Sequence, residues 1–201
     1  MARSGDVIEN PVSGERIIFR KTASETNGEL LQFDYFCKPK TKGTASLRHK
    51  HPKLEERFEV AAGSMSYTLG DSKMKSAEMG GKVVVPKGTA HALWNEGDGE
   101  LQVSTECRPA LKIERFFETM YGLAKDGKTN KSGIPGLLQT AVIFRGFKDE
   151  VAAGTPATKL FAALSVVLAP IGRSRGYRAW YPKYSGQDES SAKAKIGRAH
   201  V

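Results

Sequence analysis

Apolar residues change their spacing once along this chain, at Pro109, and that change restricts the fold more than any other feature. From residue 15 to about 108, short alternating runs are separated by glycine-bearing turns: ERIIFRKT, ELLQFDYFC, SLRHKH, ERFEVAAG, SMSYTLG, KVVVP, HALWNEG and LQVSTECR. A period of two marks strands with one face inward, and strands this short and frequent build a barrel or a sandwich. After Pro109 the period becomes helical. ALKIERFFETMYGLAKDGK carries Leu111, Ile113, Phe116, Phe117, Met120, Tyr121 and Leu123 at helical spacing and predicts a helix that stops at Gly127. Pro135 opens a second helical pattern, GLLQTAVIFRGFKDEV, and residues 158–171 make a third that ends near Pro170. Helices that follow strands without alternating with them argue against a parallel α/β fold. The expectation is a mainly β chain: a barrel over 1–110, a basic helical extension over 111–185, and a small, polar, disordered tail over 186–201.

The last six residues, IGRAHV, read as the translation of a common DNA-sequencing adapter. Residues 196–201 are therefore set aside as an artefact, His200 with them, and the natural C-terminus is expected to differ. Cys37 and Cys107 are too few for a disulfide framework, which suits a reducing compartment. The N-terminal MARSGDVIENPVSG lacks the apolar centre of a secretory signal, so a cytoplasmic location is expected. The longest apolar run, 160–172, spans 13 residues and contains Ser165 and Pro170. That is short of the ~17–25 residues a transmembrane helix needs, so a buried or interfacial helix is expected.

Net charge is +9, unevenly placed. Residues 1–110 carry 16 Lys and Arg against 15 Asp and Glu, whereas residues 111–184 carry 12 against 5. An anionic partner should therefore be sought in the second half.

Residues 48–63, RHKHPKLEERFEVAAG, pose the chemical question. His49 and His51 are two apart, so on a strand they face the same side and can converge on one ion. Taken alone, the pair reads more readily as two solvated surface histidines. In ERFEV, Glu56, Phe58 and Val60 share one face, while Arg57 and Glu59 share the other. Glu55 then points away from Glu56, toward solvent.

The wider spacing changes that balance. From Gly43, five residues precede His49, one separates it from His51, four lead to Glu56 and six to Gly63. A second block, GGKVVVPKGTAHALWN, runs from Gly80 through Pro86 and Gly88 to His91 and Asn95. Together these blocks resemble the two motifs of the cupin superfamily, over residues 40–108, in the manner of a single-domain bacterial cupin with a C-terminal helical extension. The resemblance implies a double-stranded β-helix, or jelly-roll, barrel. It also implies that His49, His51, Glu56 and His91 ligate a divalent transition metal. Such donors suit iron(II), manganese, nickel, copper or zinc rather than calcium. Four protein ligands leave two positions of an octahedron for water, dioxygen or an oxygen substrate. A closed structural zinc and an empty barrel are the alternatives.

Phe58, Tyr67 and Trp94 are expected to line an apolar pocket above the metal, or simply to fill the core. Gly63 and Gly88 should take positive φ, and Pro86 should end the VVV strand. Asn95 reads as a turn or register residue, and Cys107 as a small buried hydrophobe. GRSRGYRAWYPKYSG, residues 172–186, interleaves cations with aromatics. Its expected role is to wrap back over the barrel, with peripheral binding of an anionic membrane through 160–184 as the leading ligand reading and nucleic acid not expected. Edge strands and the habit of the family favour a homodimer. Two functions are carried forward. The first is a mononuclear metal-dependent dioxygenase or isomerase acting on a small oxygen-bearing molecule. The second is a non-catalytic barrel that binds or senses such a ligand and uses its basic helices as a membrane or partner surface.

Overall fold

The computed structural model of the chain describes residues 2–185; the expectations for 186–201 lie outside the described residues. Eleven strands are present among them: β1 (Val7–Asn10), β2 (Glu15–Lys21), β3 (Leu31–Cys37), β4 (His49–Lys50), β5 (Glu55–Ala62), β6 (Ser64–Leu69), β7 (Lys75–Glu78), β8 (Lys82–Val85), β9 (His91–Trp94), β10 (Leu101–Arg108) and β11 (Ala152–Ala153). Three helices accompany them: α1 (Ile113–Lys125), α2 (Leu137–Gly146) and α3 (Pro156–Ser174).

The strands form two antiparallel sheets, ordered β1-β2-β3-β10-β5-β8 and β11-β4-β9-β6-β7. Between β4 and β10 the chain passes repeatedly from one sheet to the other, which is the winding of a double-stranded β-helix. Alternation supplies the core. Phe58 and Val60 on β5 and Leu101, Val103 and Cys107 on β10 point inward, and the residues between them face out. Gly63 turns β5 into β6 at φ +77°, and an added Cβ there would also meet the Glu100 carbonyl oxygen at 2.8 Å. Gly88 takes φ +76°, and Pro86 follows the last residue of β8, both as the sequence predicts.

The helices complete the barrel. Ile113 and Tyr121 of α1 are buried in the same core as the strands. Trp180, Tyr181 and Tyr184 pack back onto Leu123, Ile143 and Phe147, so the segment folds back over α1 and α2 rather than over the barrel strands as expected. The docking is close, since a Cβ on Gly122 would sit 2.2 Å from the Tyr184 ring.

Several expectations are corrected. Strands β1, β7 and β11 were not predicted, because each has at most four residues and shows no alternation of its own. β11 comes from the helical half and joins the second sheet through Ala153 opposite His49. The second helix ends at Gly146, five residues before Val151, because the chain must turn there toward β4. Pro170 lies inside α3 rather than at its end. Pro170 has no N–H to offer the Val166 carbonyl one turn earlier. The apolar run from 160 is not buried: Leu160, Leu164, Val166, Val167 and Ile171 are all exposed. By length and composition alone α3 suffices to cross a membrane, and its apolar window is 17% buried.

Candidate metal centre

His49 on β4 pairs in register with His91 on β9, which sets the two imidazoles side by side. His51 follows β4 by one residue, and Glu56 stands on the inward face of β5. One donor atom from each of the four lies within 4.8 Å of every other. His51, Glu56 and His91 are buried, and His49 is half-buried. Both folded-in motifs thus deliver their histidines and glutamate to one point.

Hydrogen bonding determines which nitrogens face inward. The Nδ1 atoms of His49, His51 and His91 lie 2.7, 2.6 and 3.1 Å from the carbonyl oxygens of Leu47, Glu150 and Thr89. A carbonyl only accepts, so each Nδ1 carries the proton and each neutral ring turns a bare Nε2 lone pair inward. Glu56 Oε2 meets two of them, His51 Nε2 at 3.0 Å and His91 Nε2 at 2.9 Å. Neither buried Nε2 has a partner in hydrogen-bond geometry. Lone pairs converging in a buried site repel one another unless a proton or a cation stands among them. The donor set therefore fits a divalent transition ion: three imidazoles oriented by backbone carbonyls and one carboxylate.

Without a metal the same crowding redistributes protons. Burial, then the charges of His91 and His51, push His49 down to about 3. At His51 burial acts downward but is outweighed by the Glu56 carboxylate, and the pKa rises. Burial acts upward on Glu56, yet His51 and His91 hold it well below the usual carboxylate range.

Cys107 is paired with Glu56 across β10 and β5, and its thiol donates toward Glu56 Oε1 at 3.6 Å. Burial first, then the Glu56 charge, push the thiol pKa well up, so it stays S–H. Cys107 is the small buried residue expected, with an added contact to a candidate ligand. Only strand register reveals that contact. The Glu150 carbonyl behind His51 had no signal at all in the sequence, since it is a backbone atom 99 residues away. A third unforeseen group is Glu15, whose buried carboxylate accepts from the Tyr35 hydroxyl at 2.8 Å and the Thr44 amide at 2.9 Å. Gly43 makes room for it, because a Cβ there would fall 2.4 Å from the carboxylate.

The four donors open into a cavity of about 560 Å³. Barrel residues such as Phe33, Phe58 and Leu93 line one side, and Phe117 and Met120 of α1 and Phe144 of α2 close the other. Phe58 is a pocket residue as predicted, but Tyr67 and Trp94 are not among the lining. Tyr67 packs against the barrel core without reaching the cavity. Trp94, three residues from His91, falls on the opposite strand face, where its Nε1–H donates to Glu96. Glu55 pairs with Arg57 on the outer face. Asn95 donates to the carbonyls of Cys37, Lys38 and Gly99, a register role.

Fold and site together define the class: a double-stranded β-helix barrel with a candidate mononuclear metal centre on its inner wall. No family model matches the chain, and no curated protein does. Among solved structures it is similar to a conserved protein with a double-stranded β-helix domain from Klebsiella pneumoniae, at 14% identity and TM-score 0.41, over 55% of this chain and 84% of that one. It is similar to a protein described as a predicted oxalate decarboxylase from Thermotoga maritima, at 16% identity and TM-score 0.45, over 54% and 98% of the two chains. A cupin-superfamily sugar phosphate isomerase from Silicibacter pomeroyi matches at 17% identity and TM-score 0.45, over 52% and 71%.

Proposed function

We propose that the protein is a mononuclear metal-dependent enzyme whose substrate is a small organic molecule with oxygen donors and a largely apolar body. One observation carries this reading: three carbonyl-oriented imidazoles and a carboxylate meet at the wall of a 560 Å³ cavity whose remaining lining is mainly apolar. A bound divalent ion would supply Lewis-acid or redox activation of an oxygen substrate. The chain's own residues do the rest. His49, His51, Glu56 and His91 would hold the ion, while Phe33, Phe58, Phe117 and Phe144 would desolvate and orient the substrate body.

Within this class a dioxygenase is better supported than an isomerase. Proton abstraction needs a base near the substrate. Among the described residues, the titratable groups of the lining besides the four donors are Glu15, Tyr35, Arg48 and Tyr121. Glu15 already accepts from Tyr35 and Thr44, and burial pushes both tyrosines well up, leaving them protonated. The same shortage of proton-transfer groups supports the second reading, a barrel that binds such a ligand without turning it over.

Elemental analysis of untagged protein tests the proposal. About one iron, manganese or nickel ion per chain is expected, lost in Glu56→Ala and in His91→Ala with the β structure retained. A protein that takes up no metal after anaerobic reconstitution, or a variant that keeps full occupancy, would refute the centre and leave the binding barrel.

A further inference from the structure

We propose that the outward face of α3, together with a basic recess beside it, docks on the surface of an anionic lipid bilayer. The inner face of α3 is small. Ser165, Ala169 and Gly172 are buried against α2, and a Cβ on Gly172 would meet Val142 at 2.6 Å. The outer face is large and apolar. Leu160, Leu164, Val167 and Ile171 fall at i, i+4, i+7 and i+11, one stripe along the helix, with Val166 and Pro170 beside it. Leu160 and Val167 are each 65% exposed, and Leu164 is 52% exposed. A contiguous aliphatic stripe of this kind marks an interaction surface.

The charges around the stripe identify the occupant. Lys159 stands at one end and Arg173, Arg175 and Arg178 at the other, and no Asp or Glu occurs between Glu150 and Asp188. Beside the first half of α3 is a recess of about 290 Å³ whose lining includes Lys50, Arg145, Lys148 and Lys159 and no carboxylate. Cations from β4, α2, the loop after it and α3 thus gather on the flank of the helix that carries the stripe, and with the arginines at its end they favour a negatively charged surface. A second copy fits poorly. Antiparallel pairing of two stripes sets Lys159 against the partner's arginines, and parallel pairing sets like ends together, so cations meet cations either way. Nor does α3 span. Just before it Ala153 pairs with His49 in the barrel, and just after it Trp180 and Tyr184 pack on the core beside α1, so both ends are tied to one body.

The test is co-sedimentation of the full chain with vesicles of phosphatidylcholine alone or mixed with phosphatidylglycerol. Binding is expected only to the anionic vesicles and should weaken as salt rises. Leu164→Asp with Val167→Asp should abolish it, and Lys148→Ala and Lys159→Ala should each weaken it roughly 5-fold. These side chains are exposed, so circular dichroism and thermal unfolding should match the parent. Equal binding to both vesicle types, or binding that survives the double aspartate variant, would overturn the proposal. So would a dimer that forms in solution through this face without vesicle binding, or a monomer that binds neither vesicle.

Discussion

At the residue scale, the histidines of one cluster behave differently because their neighbours differ. His49 is crowded by two other imidazoles and driven down to about 3, whereas His51 faces Glu56 and is raised. The metal-free protein should therefore be most stable near the ordinary histidine value of 6.5. Below it, unfolded His49 binds a proton that the folded chain refuses, so stability rises with pH. Above it, folded His51 keeps a proton that the unfolded chain has lost, so stability falls until the pH passes the raised value. Glu56, depressed in the fold, adds to the acid limb. Calorimetric melting of chelated protein across pH 5–8 should show this maximum, and His51→Ala should remove the alkaline decline. A metal must displace the His51 proton, so its affinity should weaken as pH falls. Much of this site was legible in the sequence: the block GX5HXHX4EX6G supplied His49, His51 and Glu56, the second block supplied His91, their resemblance to a known motif pair implied the ligand set, and strand parity separated Glu56 from Glu55. Aromatic character near the ligands misled for Tyr67 and Trp94, since lining a cavity depends on depth and strand face, and Trp94 stands an odd step from His91.

At the scale of elements, the barrel strands announced themselves by alternation and the helices by their period, but their mutual docking did not. β11 is two alanines without a pattern, yet it borders the strand that carries His49. The turn after α2 brings the Glu150 carbonyl to His51, so the helical half shapes the candidate centre as well as covering it. The C-terminal segment is held by a fit of ring against glycine. Gly122→Ala would press a methyl group into the Tyr184 ring, which also hydrogen-bonds Asp126 at 2.7 Å. The expected cost is about 1–3 kcal/mol in urea unfolding, with faster proteolysis between 175 and 185 than in the parent. Unchanged stability and cleavage would mean that this segment is not clamped to α1.

At the scale of the whole molecule, strands and helices jointly enclose the cavity. Barrel walls carry the donors, and α1, α2 and the start of α3 provide aromatic and aliphatic cover. A ligand with an oxygen-bearing head and a hydrocarbon body, such as a medium-chain hydroxy acid, should raise the melting temperature of metal-loaded protein. At a hundredfold excess over Kd the shift should be about 5–10 °C. A sugar phosphate should give no comparable shift, and if it did, the apolar substrate class would be wrong.

By itself the sequence determined the alternating strands and the helical addition, because period is a local property that survives without knowledge of distant contacts, while the resemblance of its two motif blocks implied the barrel and the four donors. Tertiary structure alone decided which backbone carbonyls orient the imidazoles, that Cys107 touches Glu56, which aromatics border the cavity, and that α3 turns its aliphatic side outward. Each of these depends on residues far apart in the chain being brought to within a few ångströms, and no spacing rule encodes that distance.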